Sequence, residues 1–326
     1  MKILINHELE PAFNLALEEY LLKRCEDEFF VLWRNRKSII VGRNQNTYAE
    51  INTDYVRKKN IAVVRRMTGG GTVFHDTGNL NFTFIYRNAA HLFDRYDLLS
   101  APIVQALRAL SIPAELSGRN DLLVHGKKCS GNAQCMSGSS LLYHGTLLVS
   151  ADVSTMSEAL RVNPLKVQSK GIKSVRSRVT NLREYLPRDF TTTDLADYIA
   201  NFVSRLQNHA EYITLTEQQV AEIRQLAREK YETWEWNYGF RRPYTHTAEE
   251  KFACGILQAN LSVEQDRIAE ARFYGDYFGK RDVTELEQSL VGVPYRADAL
   301  MRVLATLPIA EYFSGLTAQD LLRVLL

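Results

Sequence analysis

After Pro11, apolar residues recur at helical spacing (Phe13, Leu17, Tyr20 and Leu21), which predicts that the chain opens with an amphipathic helix whose stripe faces a core. Short runs rich in β-branched and aromatic residues follow at 29–34, 38–42, 61–65 and 81–86. Each is bounded by polar or glycine-bearing turns, the pattern of sheet strands. The stretch 98–110 has a helical period and 144–150 predicts another strand, so the first two thirds of the chain read as a mixed, layered arrangement of helices and sheet. At Thr216 the string T-E-Q-Q forms a capping box ahead of Val220, Ile223, Leu226 and Ala227, predicting a helix that runs toward Trp234. The polar, proline-bearing segment 239–251 (GFRRPYTHTAEEK) has the composition of a connection between domains. Beyond it, alternation at 256–263 and 268–273 predicts a hairpin, and helical patterns follow at 283–290 and 297–307. The expected organisation is a large domain at 1–240, a linker at 241–251 and a small α+β domain at 252–326.

Composition narrows the class. With 326 residues, 45% hydrophobic and 24% charged, and only 17 Gly and 8 Pro, the chain is neither disordered nor fibrous and can form two cores. A net charge of +2 from 40 basic and 38 acidic side chains lacks the cationic excess of a protein that lives on nucleic acid. No apolar run approaches a membrane span, and the apolar run near the N-terminus is too short for a secretory signal. The expectation is a cytoplasmic protein with neither membrane nor nucleic acid as partner. Cys25, Cys129, Cys135 and Cys254 include no C-x-x-C pair, so neither a zinc knuckle nor a redox motif is expected.

Three stretches carry candidate chemistry. The first, RRMTGGGTVFHD, places three glycines directly after a predicted strand. Adjacent glycines are costly in chain entropy, so they imply unusual torsions or a close approach by a ligand. Main-chain N–H groups in such a loop suit a phosphate or carboxylate, with Arg65 and Arg66 supplying charge at its entrance. A tight interstrand turn with two solvated arginines is the alternative. The string is neither a P-loop nor a dinucleotide fingerprint. The second stretch is SGRND followed by HGKKCSGNA. There Lys128 stands among small residues that let its ammonium approach developing negative charge, and Asp121 offers oxygen to a magnesium ion. The alternative is an exposed turn. Cys129 is a candidate nucleophile with His125, His144 or His75 as its base, and spacing selects none of these pairs. The third, KVQSKGIKSVRSRVTN at 166–181, carries five cations in its first thirteen residues and no acid. Lacking interleaved aromatics, it suits a rim for an acidic protein or a phosphate-bearing ligand better than a nucleic-acid strip, with a solvated face as the alternative.

Taken in order, RRMTGGGTVFHD, SGRNDLL, GKKCSGNA, YHGTLLV, SKGIKSVRSRVTNL and WEWNYGF resemble signatures of the lipoate-protein ligase family, and the tail resembles that family's small C-terminal domain. The resemblance covers essentially the whole chain. It implies an α+β architecture: a biotin/lipoate ligase-like catalytic domain with a central mixed β-sheet flanked by helices, plus a small α+β C-terminal domain. It also implies that ATP, with Mg2+, activates lipoic acid to lipoyl-AMP. The lipoyl group then passes to a lysine of apo lipoyl domains, in 2-oxoacid dehydrogenase acyltransferases and the glycine cleavage H protein. By position, the resemblance implies that Lys128 is the catalytic lysine, touching both the ligand carboxyl and the α-phosphate. Arg66, Thr72, Val73, Phe74, His75 and Asp121 join Lys128 on ATP, and Asn120 stands near the phosphates. Gly69, Gly70, Gly71, Lys128 and His144 contact lipoate, and Asp121 is the candidate Mg2+ ligand. Met67 stands where some members carry a third basic residue, and the loop between Asp121 and Lys128 is short.

Other functions remain open at this level. An octanoyl or lipoyl transferase would act through a cysteine without ATP; the C-terminal domain and the GKKCSG context argue against it. A biotin-protein ligase would carry G-R-G-R-x-x-R, and the nearest string is GRNQ at Gly42. A non-catalytic binder of lipoyl domains would keep the fold but not ATP binding.

Overall fold

The structure is a computed structural model that describes residues 1–118, 120–161, 178–208, 210–239 and 244–326. Arg119 and most of the basic stretch at 166–181 therefore lie outside the described residues. An eight-stranded mixed sheet forms the centre, in the order β11 (Glu211–Tyr212), β1 (Lys2–Ile5), β2 (Phe29–Trp33), β6 (Asn79–Tyr86), β10 (Ser140–Leu148), β9 (Lys127–Ser137), β8 (Asp121–Val124), β7 (Ala114–Ser117). β11, β1 and β2 are parallel neighbours; from β2 onward the pairs are antiparallel.

Both faces of this sheet are covered, which is why β2 reads as an unbroken apolar run rather than an alternation. The period of two still sorts its side chains. Phe30 and Leu32, with Leu141 and Tyr143 of β10, enter one core, which is closed by α2 (Tyr96–Ala109) and α3 (Thr192–Leu206). Phe29, Val31 and Trp33, with Leu142, enter the opposite core against α1 (Pro11–Arg24) and α4 (Glu217–Leu226). The opening helix forms as expected but is not amphipathic. Every residue from Pro11 to Leu22 is buried, because α1 lies between the sheet and the α4 layer, and its polar residues Asn14, Glu18 and Glu19 are satisfied internally.

A second sheet has the order β4 (Ala62–Arg65), β3 (Ser38–Val41), β5 (Val73–His75), with β3–β4 parallel and β3–β5 antiparallel. Because β4 and β5 flank β3, the glycine-rich connection must cross the end of β3. It does so at Gly42, where an added Cβ would stand 1.9 Å from the Gly70 carbonyl oxygen.

Two expectations are corrected. Lys127 and Lys128 do not sit in a loop: they begin β9, and the short connection from Asp121 is β8 plus a two-residue turn. His125 and Gly126 in that turn have φ of 48° and 75°, as a type I′ hairpin requires. The expected linker at 241–251 also overlaps structure. β12 (His246–Phe252) pairs with β13 (Gly255–Glu264), which pairs with β14 (Arg267–Gly275), and α5 (Thr284–Leu290), α6 (Ala297–Leu304) and α7 (Ala318–Leu325) close the unit. β12 is an edge strand whose alternate positions face solvent, so its polar sequence imitates a linker.

Candidate active site

The two arginines before the glycines are part of the interior and do not stand at an entrance. Arg65 is 1% exposed. Its Nε donates to the Trp236 carbonyl at 2.8 Å, its Nη1 to the carbonyls of Gly42, Arg43 and Gln45 at 2.9, 2.9 and 2.6 Å, and its Nη2 to Thr47 Oγ1 at 2.8 Å. The WEWNY string is the other half of this clamp. Asn237 Oδ1 accepts from the Arg65 amide at 2.8 Å, and Trp236 Nε1 donates to the Arg65 carbonyl at 2.8 Å. Arg66 holds the glycine loop directly: its Nη2 donates to the Gly69 and Gly71 carbonyls at 2.7 and 2.8 Å, and its Nη1 to Ile40 at 3.1 Å. Burial lowers both guanidinium pKa values to about 10, which leaves them cationic at neutral pH.

Arg66 also begins a buried hydrogen-bond chain. Its Nε donates to Thr68 Oγ1 at 2.8 Å, and that oxygen lies 2.8 Å from His144 Nε2. His144 Nδ1 lies 2.8 Å from Glu18 Oε1, which accepts from Thr83 Oγ1 at 2.6 Å, and Thr83 in turn accepts from Trp33 Nε1 at 2.9 Å. Placing the His144 hydrogen on Nδ1 satisfies every member, with Thr68 donating to Nε2. Sequence reasoning found His144 but missed Glu18, Thr68 and Thr83. The sequence carried no signal for Glu18, because the burial that obliges its carboxylate to have a partner appears only once the helix is packed.

The segment expected to wrap the nucleotide is only partly available. Phe74 packs into the core of the small sheet. His75 is buried, its Nδ1 lies 3.1 Å from Asn35 Nδ2, and burial, then Arg66 and His144, push its pKa down to about 3. Any contact from these two residues is therefore through backbone. Thr72 donates to Gln45 Oε1 at 2.7 Å, and the same oxygen accepts from the Gly42 amide at 3.0 Å, so Gln45, unmarked in the sequence, ties the start of β5 to the turn beneath it. Met67, where a third basic residue was the alternative, is a buried residue of the core that also holds Leu17, Trp33 and Leu142.

Lys128 stands on the adjoining face. Its Nζ is 2.7 Å from Asp121 Oδ1, with its side chain 40% exposed. It folds back over its own strand because residue 131 is glycine, where a Cβ would lie 3.0 Å from Nζ. Gly131 faces β10 through its amide, 3.1 Å from Thr146 Oγ1, and Thr146 is two positions from His144. One strand repeat, roughly 7 Å, thus links the lysine's platform to the chain that holds the glycine loop. Asn120 is committed elsewhere, donating to the Asn132 carbonyl at 2.7 Å, while Asn132 donates back at 2.9 Å.

The thiols are poorly suited to nucleophilic attack. Cys129 is fully buried, with Sγ 3.4 Å from the Leu122 carbonyl, and burial pushes both its pKa and that of Cys135 up to about 12. His144 is committed to Glu18 and Thr68, and the His125 ring lies against Tyr185. Among the described residues no three metal-ligating side chains converge.

The C-terminal unit seats on the outer side of the glycine loop. A Cβ on Gly69 would stand 2.6 Å from the Tyr277 carbonyl, and one on Gly70 2.9 Å from the Phe278 ring. Gly275 N donates to the Asn44 carbonyl at 2.7 Å, and Asp282 pairs with Arg43.

This combination, a glycine connection laid over buried arginines and faced by a lysine on a mixed sheet, coincides with a match to the lipoyl protein ligase A/B catalytic domain over residues 10–204. The bacterial lipoate protein ligase C-terminus matches residues 242–325, and the chain belongs to the lipoate-protein ligase family. It is 41% identical to lipoate–protein ligase 1 of Staphylococcus aureus over 100% of both chains. The crystal structure of LipL1 from P. falciparum in complex with lipoate shares the fold, with a TM-score of 0.80, 24% identity, and coverage of 99% of this chain and 97% of that one. A lipoate-protein ligase A bound with ATP superposes with a TM-score of 0.64 at 26% identity, covering 73% of this chain and 98% of that one. Among the described residues no helix is long and apolar enough to cross a membrane.

Proposed function

We propose that this protein is an ATP-dependent lipoate–protein ligase: it converts lipoate and ATP to lipoyl-AMP and pyrophosphate, then transfers the lipoyl group to a lysine of apo lipoyl domains. Its expected carriers are the 2-oxoacid dehydrogenase acyltransferases and the glycine cleavage H protein, in the cytoplasm. The observation that carries the reading is Lys128, a half-exposed ammonium paired, among the described residues, with the Asp121 carboxylate and lying over Gly131.

The mechanism follows from that geometry. A lipoate carboxylate oxygen attacks the ATP α-phosphorus as the bond to pyrophosphate breaks, and Lys128 neutralises charge on the transferring phosphoryl group. The product is a mixed anhydride. A carrier lysine amine then attacks its carbonyl carbon; AMP leaves, and the same ammonium stabilises the tetrahedral oxyanion. Gly69, Gly70 and Gly71 bring backbone close to the acyl group, and the adjoining apolar cluster, with Leu17, Trp33 and Leu142, supplies a surface for the lipoyl chain. Arg66 acts by shaping the loop, and Thr72 and Val73 present the start of β5 to the nucleotide. Among the described residues Asp121 has one oxygen engaged by Lys128 and no partner on the other, which fits Mg2+ arriving on ATP, since that ion takes one or two carboxylates alongside phosphate oxygens. Bound there, Mg2+ would neutralise charge on the departing pyrophosphate.

The test is lipoate-dependent release of pyrophosphate from ATP, with and without an apo lipoyl domain whose mass is followed. Release with a lipoyl mass gain supports the ligase. Acyl transfer from a charged carrier without pyrophosphate, lost in Cys129→Ala or Cys135→Ala, would make the protein a transferase.

A further inference from the structure

A cleft of about 670 Å³ opens at one end of the eight-stranded sheet, where β2 ends, β6 begins, β10 ends and α3 starts. It lies on the other side of the sheet from the glycine loop: Val149 in its wall belongs to the core under α2 and α3, whereas Trp33, Met67 and Leu142 belong to the opposite core. Its walls are cationic. Arg36 is held by Glu10 at 2.6 Å and Arg183 donates to the Phe190 carbonyl, but Lys37 reaches Asp152 only at 3.6 Å. Among the described residues the guanidinium of Arg34 has no partner at all. Among the described residues the one acid in the wall, Asp76, is 6% exposed and already accepts from the amides of Gly78 at 2.9 Å and Asp152 at 2.8 Å.

The start of α3 supplies a second, independent feature. Thr192 is 7% exposed and lines the cleft, yet among the described residues its hydroxyl has no hydrogen-bond partner. α3 is 15 residues long, and its capping box serves only the Asp194 amide, with the Asp194 carboxylate turned back onto Thr191. The first-turn amides of Thr192 and Thr193 therefore remain available beside the cleft, at the positive end of a helix dipole.

We propose that this cleft binds a small phosphorylated ligand by its phosphate, at a site separate from the nucleotide. A guanidinium fork, an ammonium, the Thr192 hydroxyl open to the cleft and free helix amides match the charge and acceptor number of a phosphate dianion. The cleft is larger than a phosphate, leaving room for an organic group against Val149 and Phe190.

The test is calorimetric titration of the full chain with inorganic phosphate under saturating ATP and no lipoate. One saturable site is expected, weakened roughly tenfold or more in Arg34→Gln and measurably in Thr192→Val. Pyrophosphate release measured without added phosphate stays at the wild-type rate in both. Binding that disappears with ATP and ignores Arg34→Gln places phosphate in the nucleotide site and overturns the proposal, as does the absence of saturable binding. Wild-type phosphate affinity in Arg34→Gln combined with a raised KM for an apo lipoyl domain overturns it in favour of a docking patch for an acidic protein.

Discussion

Arg65 and Lys128 are cations of the same site built in opposite ways. Arg65 is fully enclosed, and its guanidinium is bonded on every side to carbonyls of the 42–47 turn and the 236–237 segment. Lys128 keeps two fifths of its side chain in solvent and, among the described residues, pairs only with Asp121. A buried cation with saturated donors shapes the chain but cannot respond to a ligand. A half-exposed ammonium can leave one anion for another at small cost. The difference separates architecture from chemistry within a single site.

The largest effect expected from that contrast is on folding. Arg65→Met strips several buried carbonyls of their donor and should lower unfolding free energy by about 4 kcal/mol or more, measured by urea denaturation. A loss below about 1 kcal/mol would show that the turn is held by something else. Lys128→Ala should do the reverse, cutting lipoate-dependent pyrophosphate release by about 10²- to 10³-fold while leaving the urea midpoint in place. An unchanged rate of release would sink the role given to this lysine.

His75 tests the buried side of the comparison through pH. The unfolded chain protonates this ring near 6.5, whereas burial, Arg66 and His144 hold the folded value to about 3. Its contribution is therefore complete above pH 6.5 and declines as pH falls toward 3, by up to about 1.4 kcal/mol per pH unit. Glu19 adds a second decline from 4.5 to about 2: burial would raise its pKa, but bonds from Lys23, Lys230 and Tyr231 outweigh burial and lower it. Thermal midpoints should fall gently below pH 6.5 and steeply below 4.5, and His75→Gln should flatten only the upper part. A slope unchanged in that variant would assign the acid sensitivity to other groups. The smallest effect belongs to Gln45. Gln45→Ala removes the acceptor for Gly42 and Thr72 and should raise KM for ATP roughly fivefold, whereas Gln45→Glu keeps both acceptor contacts and should stay close to wild type. Equal damage in the two variants would mean that the amide nitrogen, and not the shared oxygen, matters.

Much of the fold was legible before the structure. The strands at 29–33, 38–41, 62–65 and 79–86, the Thr216 capping box and the C-terminal hairpin appear within a few residues of their expected places, because apolar periodicity and turn residues act locally. The failures share a cause. β8 and β9 carry polar and glycine residues because one end of each faces the site, so they imitate a loop, and β12 imitates a linker because half of it faces water. The sealed helix α1 was read as amphipathic, since Glu18 and Glu19 look solvated until their partners on β6, β10 and the 230–231 segment are in view.

By itself, then, the sequence determined where strands and helices form, that a glycine crossing follows β4, and that Lys128 sits among residues small enough to expose it. Those are properties of neighbours along the chain. Which cations are architecture and which are free was decided by tertiary structure alone. Arg65 and Arg66 look as available as Lys128 in one dimension, and differ only because carbonyls from 40 to 45, 69 to 71 and 236 to 237 converge on two of them and not on the third. Desolvation, which needs the whole fold, is what turns a charge into a structural part.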